Sequence, residues 1–127
     1  RVWEPGYRSP AEVSMAFAAV DVCALPYRDG ASFRRGTLMA ALAHGRAVVT
    51  TFPRAPLPEL QDGEHARLVP PEDPQALASA LREVLEDAAL RARLEAGAQA
   101  LARAFTWDRI AAQVEAVVET LRRGRPR

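Results

Sequence analysis

Asp29-Gly30-Ala31-Ser32-Phe33-Arg34-Arg35-Gly36-Thr37 is the stretch of this chain best equipped to hold an anion. Arg34 and Arg35 carry planar guanidinium forks suited to phosphate oxygens, and the Ser32 and Thr37 hydroxyls add two more donors. Gly30 and Gly36 lack the Cβ that would hold a ligand away from the backbone. A helix dipole disfavours cations in the first turn, so two arginines at a helix start are an electrostatic cost unless an anion offsets it. Phosphate is therefore the expected ligand. Asp29 is placed either to orient an arginine or sugar hydroxyl, or to form an ordinary Asp-Gly turn.

The flanking residues say where such a loop sits. An apolar run over residues 21–26 precedes it, an alanine-rich helix is expected over about residues 36–44, and Ala47-Val48-Val49-Thr50-Thr51 follows. That order is strand, loop, helix, strand. Two parallel strands joined by a helix put the first loop at the carboxyl end of its strand and at the helix N-terminus, where free backbone N–H groups favour anions. Upstream, Ser9-Pro10-Ala11-Glu12 is a helix start with an N-cap serine, proline at the first helical position and a glutamate able to reach back, and Val13, Phe17 and Val20 mark an apolar face. Downstream, Pro53, Pro56 and Pro58 forbid a regular element over residues 52–58. Asp62-Gly63 is a turn signal, and Ala66-Arg67-Leu68-Val69 is a short strand stopped by Pro70-Pro71. Asp73 and Pro74 then open a helix with Leu77, Leu81, Val84 and Leu85 on one side. A second carries Leu90, Leu94, Ala98 and Leu101; a third starts at Thr106 and carries Ile110, Val114, Val117 and Leu121. The class is α/β, a three-layer Rossmann-like domain with a small, mostly parallel sheet and C-terminal helices, and residues 1–127 form one domain.

Composition narrows the function classes. With 49% apolar and 26% charged residues the chain can build a core, and a net charge of +1 gives no field that selects nucleic acid. Cys23, the single cysteine, lies inside an apolar strand and reads as core. His44 reads as a helix C-terminal cap, and His65 has no metal-ligand spacing to another His or Cys, so no metal site or cofactor is expected. Trp3 and Trp107 read as packing anchors. No membrane span or signal peptide is visible, so a cytoplasmic location is expected, although a start on Arg1-Val2-Trp3-Glu4 leaves an upstream portion to be expected too. The basic tail over residues 122–127 reads as a solvated end rather than a docking site for acidic lipid headgroups.

Four blocks in order resemble the C-terminal half of the family 4 retaining glycosyltransferases. They are Asp21-Val22-Cys23-Ala24-Leu25-Pro26 with its glycine-containing loop; Ala41-Leu42-Ala43-His44-Gly45-Arg46-Ala47-Val48-Val49; Pro58-Glu59-Leu60-Gln61-Asp62-Gly63; and Leu68-Val69-Pro70-Pro71-Glu72-Asp73-Pro74-Gln75-Ala76-Leu77-Ala78. Phe105-Thr106-Trp107 looks like the family's aromatic signal before the last helix. The resemblance implies the GT-B fold, in which two Rossmann-like domains face a cleft and the C-terminal one holds a nucleotide-diphosphate sugar. It implies a donor site drawn from Asp29, Gly30, Ser32, Phe33, Arg34, Arg35, Gly36, Thr37 and Glu59, with a missing N-terminal acceptor domain and, in the full-length protein, peripheral membrane contact. The family's two glutamates, eight positions apart, fall on Ser32 and Ala40, and the proline of its Gly-x-Pro-Val-Val turn is Ala47. No glycine pair precedes Pro58-Glu59 either. A transferase whose isolated half is silent is the first expectation. A scaffold that lost the acidic pair and a sugar-nucleotide epimerase are the alternatives. A partner surface is expected to be exposed where the missing half packs, at the first strand and last helix, with poor solubility or dimerisation as its consequence.

Overall fold

At the centre of the molecule lies β2 (Ala47–Thr51), all five of whose residues are buried. The computed structural model describes residues 1–124. β1 (Val22–Leu25) and β3 (Arg67–Val69) flank β2 in the order β1-β2-β3, and both pairings are parallel. Cys23 sits opposite Val48, and Leu68 opposite Thr50. Parallel strands packed on both faces read as continuous apolar runs, and Ala47-Val48-Val49 is one.

Alternation along the strands makes two cores. Cys23, Val48 and Leu68 face α2 (Gly36–Ala43) through Leu38, Ala41 and Leu42. Ala47, Val49 and Val69 face α3 (Pro74–Glu86) through Ala80 and Val84. α4 (Ala88–Ala102) serves both, with Leu90 and Leu94 in the second core and Ala98 and Leu101 in the first. This is the three-layer α/β arrangement the sequence predicts.

The local signals act as expected. Ser9 and Glu12 close a capping box on α1 (Pro10–Ala19), and Asp73 caps α3 by accepting from Ala76 N–H at 2.9 Å; Asp87, not singled out from the sequence, caps α4 in the same way by accepting from Leu90 N–H at 2.9 Å. His44 is the C-cap of α2. Gly45, at φ +61°, is the left-handed residue that turns the chain into β2. The His44 ring ties α1 down: its Nδ1–H donates to the Ala40 carbonyl at 2.7 Å, which leaves Nε2 to accept from the Ser14 hydroxyl at 2.7 Å, and it stacks on Phe17. Arg67 joins β3 to its surroundings through Asp62 at 2.7 Å and Glu83 at 2.9 Å.

Two expectations need correction. Trp3 and Trp107 are not packing anchors: they are 73% and 84% exposed. The predicted apolar face of α1 is largely uncovered as well, with Val13 and Val20 exposed and only Phe17 half-buried against the first core. For Trp3 and α1 the reason is shared. β1 is an edge strand, so α1 and the segment before it have no further sheet to cover. α5 (Trp107–Arg123) likewise buries no residue and leaves Val114, Val117, Val118 and Leu121 in solvent. Arg122 and Arg123 of the basic tail lie in its last turn, and residues 125–127 fall outside the described residues. Among the described residues no helix is long and apolar enough to cross a membrane.

Candidate functional site at the carboxyl ends of the strands

Two loops leave the sheet side by side, residues 26–35 after β1 and residues 52–66 after β2. Buried threonines fasten them: the Thr50 hydroxyl donates to the Leu25 carbonyl and the Thr51 hydroxyl to the Tyr27 carbonyl, both at 2.7 Å. Ala31 N–H donates to the Thr51 carbonyl at 3.3 Å, and Phe52 N–H to the Val69 carbonyl at 2.9 Å. Gly30 completes the junction. Its φ is +85°, and a Cβ there would stand 2.5 Å from the Phe52 carbonyl oxygen and 2.7 Å from the Arg54 nitrogen. Its missing side chain therefore serves close approach of the protein's own second loop.

Between the loops is a pocket of about 360 Å³ whose wall includes Asp29, Ser32, Arg34, Arg35, Arg54 and Leu57. Arg35 is already engaged: it pairs with Asp29, and its guanidinium lies 4.8 Å from the centre of the Tyr27 ring. The Arg34 side chain is exposed, and its backbone N–H donates to the Ser32 hydroxyl at 3.3 Å. Among the described residues neither Arg34 nor Arg54 has a carboxylate partner. α2 begins here with Arg35 as N-cap and no side chain capping its free N–H groups. Guanidinium groups, a hydroxyl and uncapped N–H groups at one helix start can bind an oxyanion. Among the described residues no group of three or more His, Cys, Asp or Glu could hold a metal.

Of the residues singled out from the sequence, Asp29, Gly30, Ser32, Arg34 and Arg35 share this pocket. Phe33 turns inward and packs its ring 4.5 Å from that of Phe105. Gly36 and Thr37 are exposed in the first turn of α2, and Glu59 is exposed in the proline-rich loop, outside the pocket wall. Ser32 and Ala40 are both half-buried, and among the described residues Asp29 is the one carboxylate lining the pocket. Arg54 is the residue that sequence reasoning missed. The signal was present: in open parallel sheets ligands gather outside the carboxyl ends of strands, and that rule applies to β2 as much as to β1.

A larger apolar groove of about 710 Å³ runs along α1 and the edge strand, lined by Trp3, Val13, Phe17, Val22 and Leu25 among others. Its charged pair, Arg8 and Glu12, is spent on a mutual contact at 3.3 Å. Burial pushes the Cys23 thiol above its ordinary pKa, which keeps it protonated and unreactive.

The family model described as "Glycosyl transferases group 1" matches residues 2–87. Among curated proteins, the chain is 36% identical over 116 residues to phosphatidyl-myo-inositol mannosyltransferase of Mycolicibacterium smegmatis, covering 91% of this chain and 30% of that protein. The protein of that name from Mycobacterium leprae is 38% identical over 117 residues, covering 91% and 31%. Among solved structures, sucrose-phosphate synthase from Thermosynechococcus elongatus matches at a TM-score of 0.74 and 25% identity, covering 90% of this chain and 28% of that one. Anabaena HepE in complex with UDP-glucose matches at 0.75 and 24%, covering 91% and 31%. The chain thus spans 30% to 31% of the length of these two curated relatives.

Proposed function

Because the chain belongs to the glycosyl transferases group 1 family and has the fold of one half of a GT-B glycosyltransferase, we propose that it is the donor-binding half of a retaining enzyme. In this reading it holds a nucleotide-diphosphate sugar whose glycosyl group passes to an acceptor seated on a second domain. The observation that carries the reading is the arginine-walled pocket at the carboxyl ends of β1 and β2. A departing nucleoside diphosphate gains negative charge as the glycosidic bond breaks, so donors fixed on its oxygens bind the transition state more strongly than the ground state. Removing one such donor typically costs about 3–4 kcal/mol of transition-state stabilisation. The leaving phosphate is itself a base for the acceptor's proton, consistent with a pocket whose one carboxylate, Asp29, is already paired to Arg35. Alone, the chain binds donor and turns nothing over, because the acceptor surface lies elsewhere.

Membrane-peripheral work at the cytoplasmic face belongs to the same proposal, supported by relatives named for a phosphatidyl-inositol acceptor. Titration calorimetry with UDP- and GDP-sugars tests donor binding. Heat of binding is expected for at least one of them and its loss in R34A; silence with every donor would overturn the reading. The absence of acidic residues at Ser32 and Ala40 favours a second reading, a scaffold that kept the fold and lost the chemistry. Turnover by the full-length protein excludes it.

A further inference from the structure

We infer that Arg54 is the second phosphate-contacting guanidinium of the pocket, working with Arg34, and that Arg35 is a positioning residue. The inference rests on the donor reading above and changes which side chains carry it. Arg35 has spent its charge on Asp29 and its flat face on Tyr27, with its side chain 36% exposed. An arginine so engaged holds the shape of loop 26–35, and rotating it onto a ligand would strip Asp29 of its partner. Arg34 and Arg54 line the same pocket, exposed and without a carboxylate partner among the described residues. After the Asp29–Arg35 pair cancels, they leave two uncompensated positive charges at one concavity, in a chain whose net charge is only +1.

Arg54 is held where a ligand contact needs it. Gly30 packs against its backbone nitrogen, Ala31 N–H is bonded to Thr51, and Pro53 and Pro56 restrict the segment on either side. A contact residue on a backbone already fixed loses little conformational freedom on binding. The pocket's 360 Å³ lies within the range of about 300–1,000 Å³ usual for small-molecule sites. Two guanidinium groups from separate loops suit a diphosphate, whose oxygens spread over two phosphorus centres, better than two consecutive arginines of one loop.

The test is titration calorimetry of the full chain with UDP and with inorganic pyrophosphate, in wild type, R34A, R35A, R54A, R54K and, as a charge control on the exposed face of α3, R82A. R34A and R54A are each expected to weaken both probes about ten- to a hundredfold. R54K should recover part of that loss, with far-UV circular dichroism unchanged, and R82A should bind as wild type. R35A is expected to lower the melting temperature without ligand more than any other variant. If R54A binds both probes as tightly as wild type while R34A does not, the Arg54 assignment falls and the donor reading survives. If R35A loses the probes with its melting temperature intact, the positioning role falls. If wild type binds neither probe, this inference falls, and the donor reading is then judged by the titrations with UDP- and GDP-sugars.

Discussion

At the scale of single residues, the junction of the two loops turns on Gly30. A left-handed φ costs a residue with a side chain roughly 1–2 kcal/mol. A Cβ at Gly30 would in addition press on the Phe52 carbonyl oxygen and Arg54 nitrogen, which are backbone atoms with little room to give. G30A is therefore expected to lower unfolding free energy by at least about 2 kcal/mol in urea melts. G30N, although asparagine tolerates positive φ, should do no better, because it carries the same Cβ. Equal stability of G30N and wild type would show that the loops are not in close contact. The same residue shows how far sequence reading reaches at this scale. Gly30 is marked as special by the Asp-Gly pair, yet a glycine looks the same whether a ligand or the protein's own backbone will lie against it.

Elements carry the next prediction. The capping box of α1 holds Glu12 below its ordinary pKa of 4.5, first through the hydrogen bond from the Ser9 backbone N–H, then through the Ser9 hydroxyl. A carboxylate with a depressed folded-state pKa contributes stability that is present above its unfolded pKa and is lost as pH falls through the folded value. α1 buries no residue, so its helix is attached through Phe17, the Ser14–His44 hydrogen bond and little else. Acidification from neutral pH through the Glu12 titration is expected to fray α1 first, since unlike α3 and α4 it has no buried residue to hold it. Amide protection factors, taken relative to the intrinsic exchange rate at each pH, should fall at residues 10–19 while those of the sheet hold, and S9A should show the lowered protection already at pH 7. Uniform loss of protection along the chain would contradict this. Helix ends were legible in the sequence because Ser9, Pro10, Asp73 and Pro74 act on their nearest neighbours. Which face of a helix finds something to bury against was not, because that depends on elements far away in the chain.

For the whole molecule, the consequence lies in its uncovered apolar surface. α5 shows Val117 at 59% and Leu121 at 67% exposure, and the groove along α1 and β1 leaves an edge strand open. Patches of this kind on a soluble domain mark association surfaces, and a parallel sheet edge is a template for another strand. Under the two-domain proposal, the second domain covers part of this surface in the full-length protein. The chain alone is expected to self-associate at micromolar concentration in sedimentation experiments. V117E/L121E is expected to reduce that association without changing the urea midpoint, since α5 contributes nothing buried. A strictly monomeric wild-type chain would refute the association.

The sequence alone determined the order of strands and helices and most of their caps and turns, and it put forward the loop at residues 29–37 as the proposed anion site. These are short-range matters: continuous apolar runs for strands and period-three-to-four apolar spacing for helices, proline and glycine stops, and a side chain's reach to a backbone group a turn away. Only the tertiary structure decided that Trp3, Trp107 and the apolar face of α5 stay in solvent, that Arg35 is taken up by Asp29 and Tyr27, and that Arg54, nineteen positions further along, comes to the same pocket. The pocket follows from the register of β1 against β2 and from how closely two loop backbones can approach, and the exposed faces from which elements have a neighbour to bury against, all set by packing between residues that local spacing does not relate.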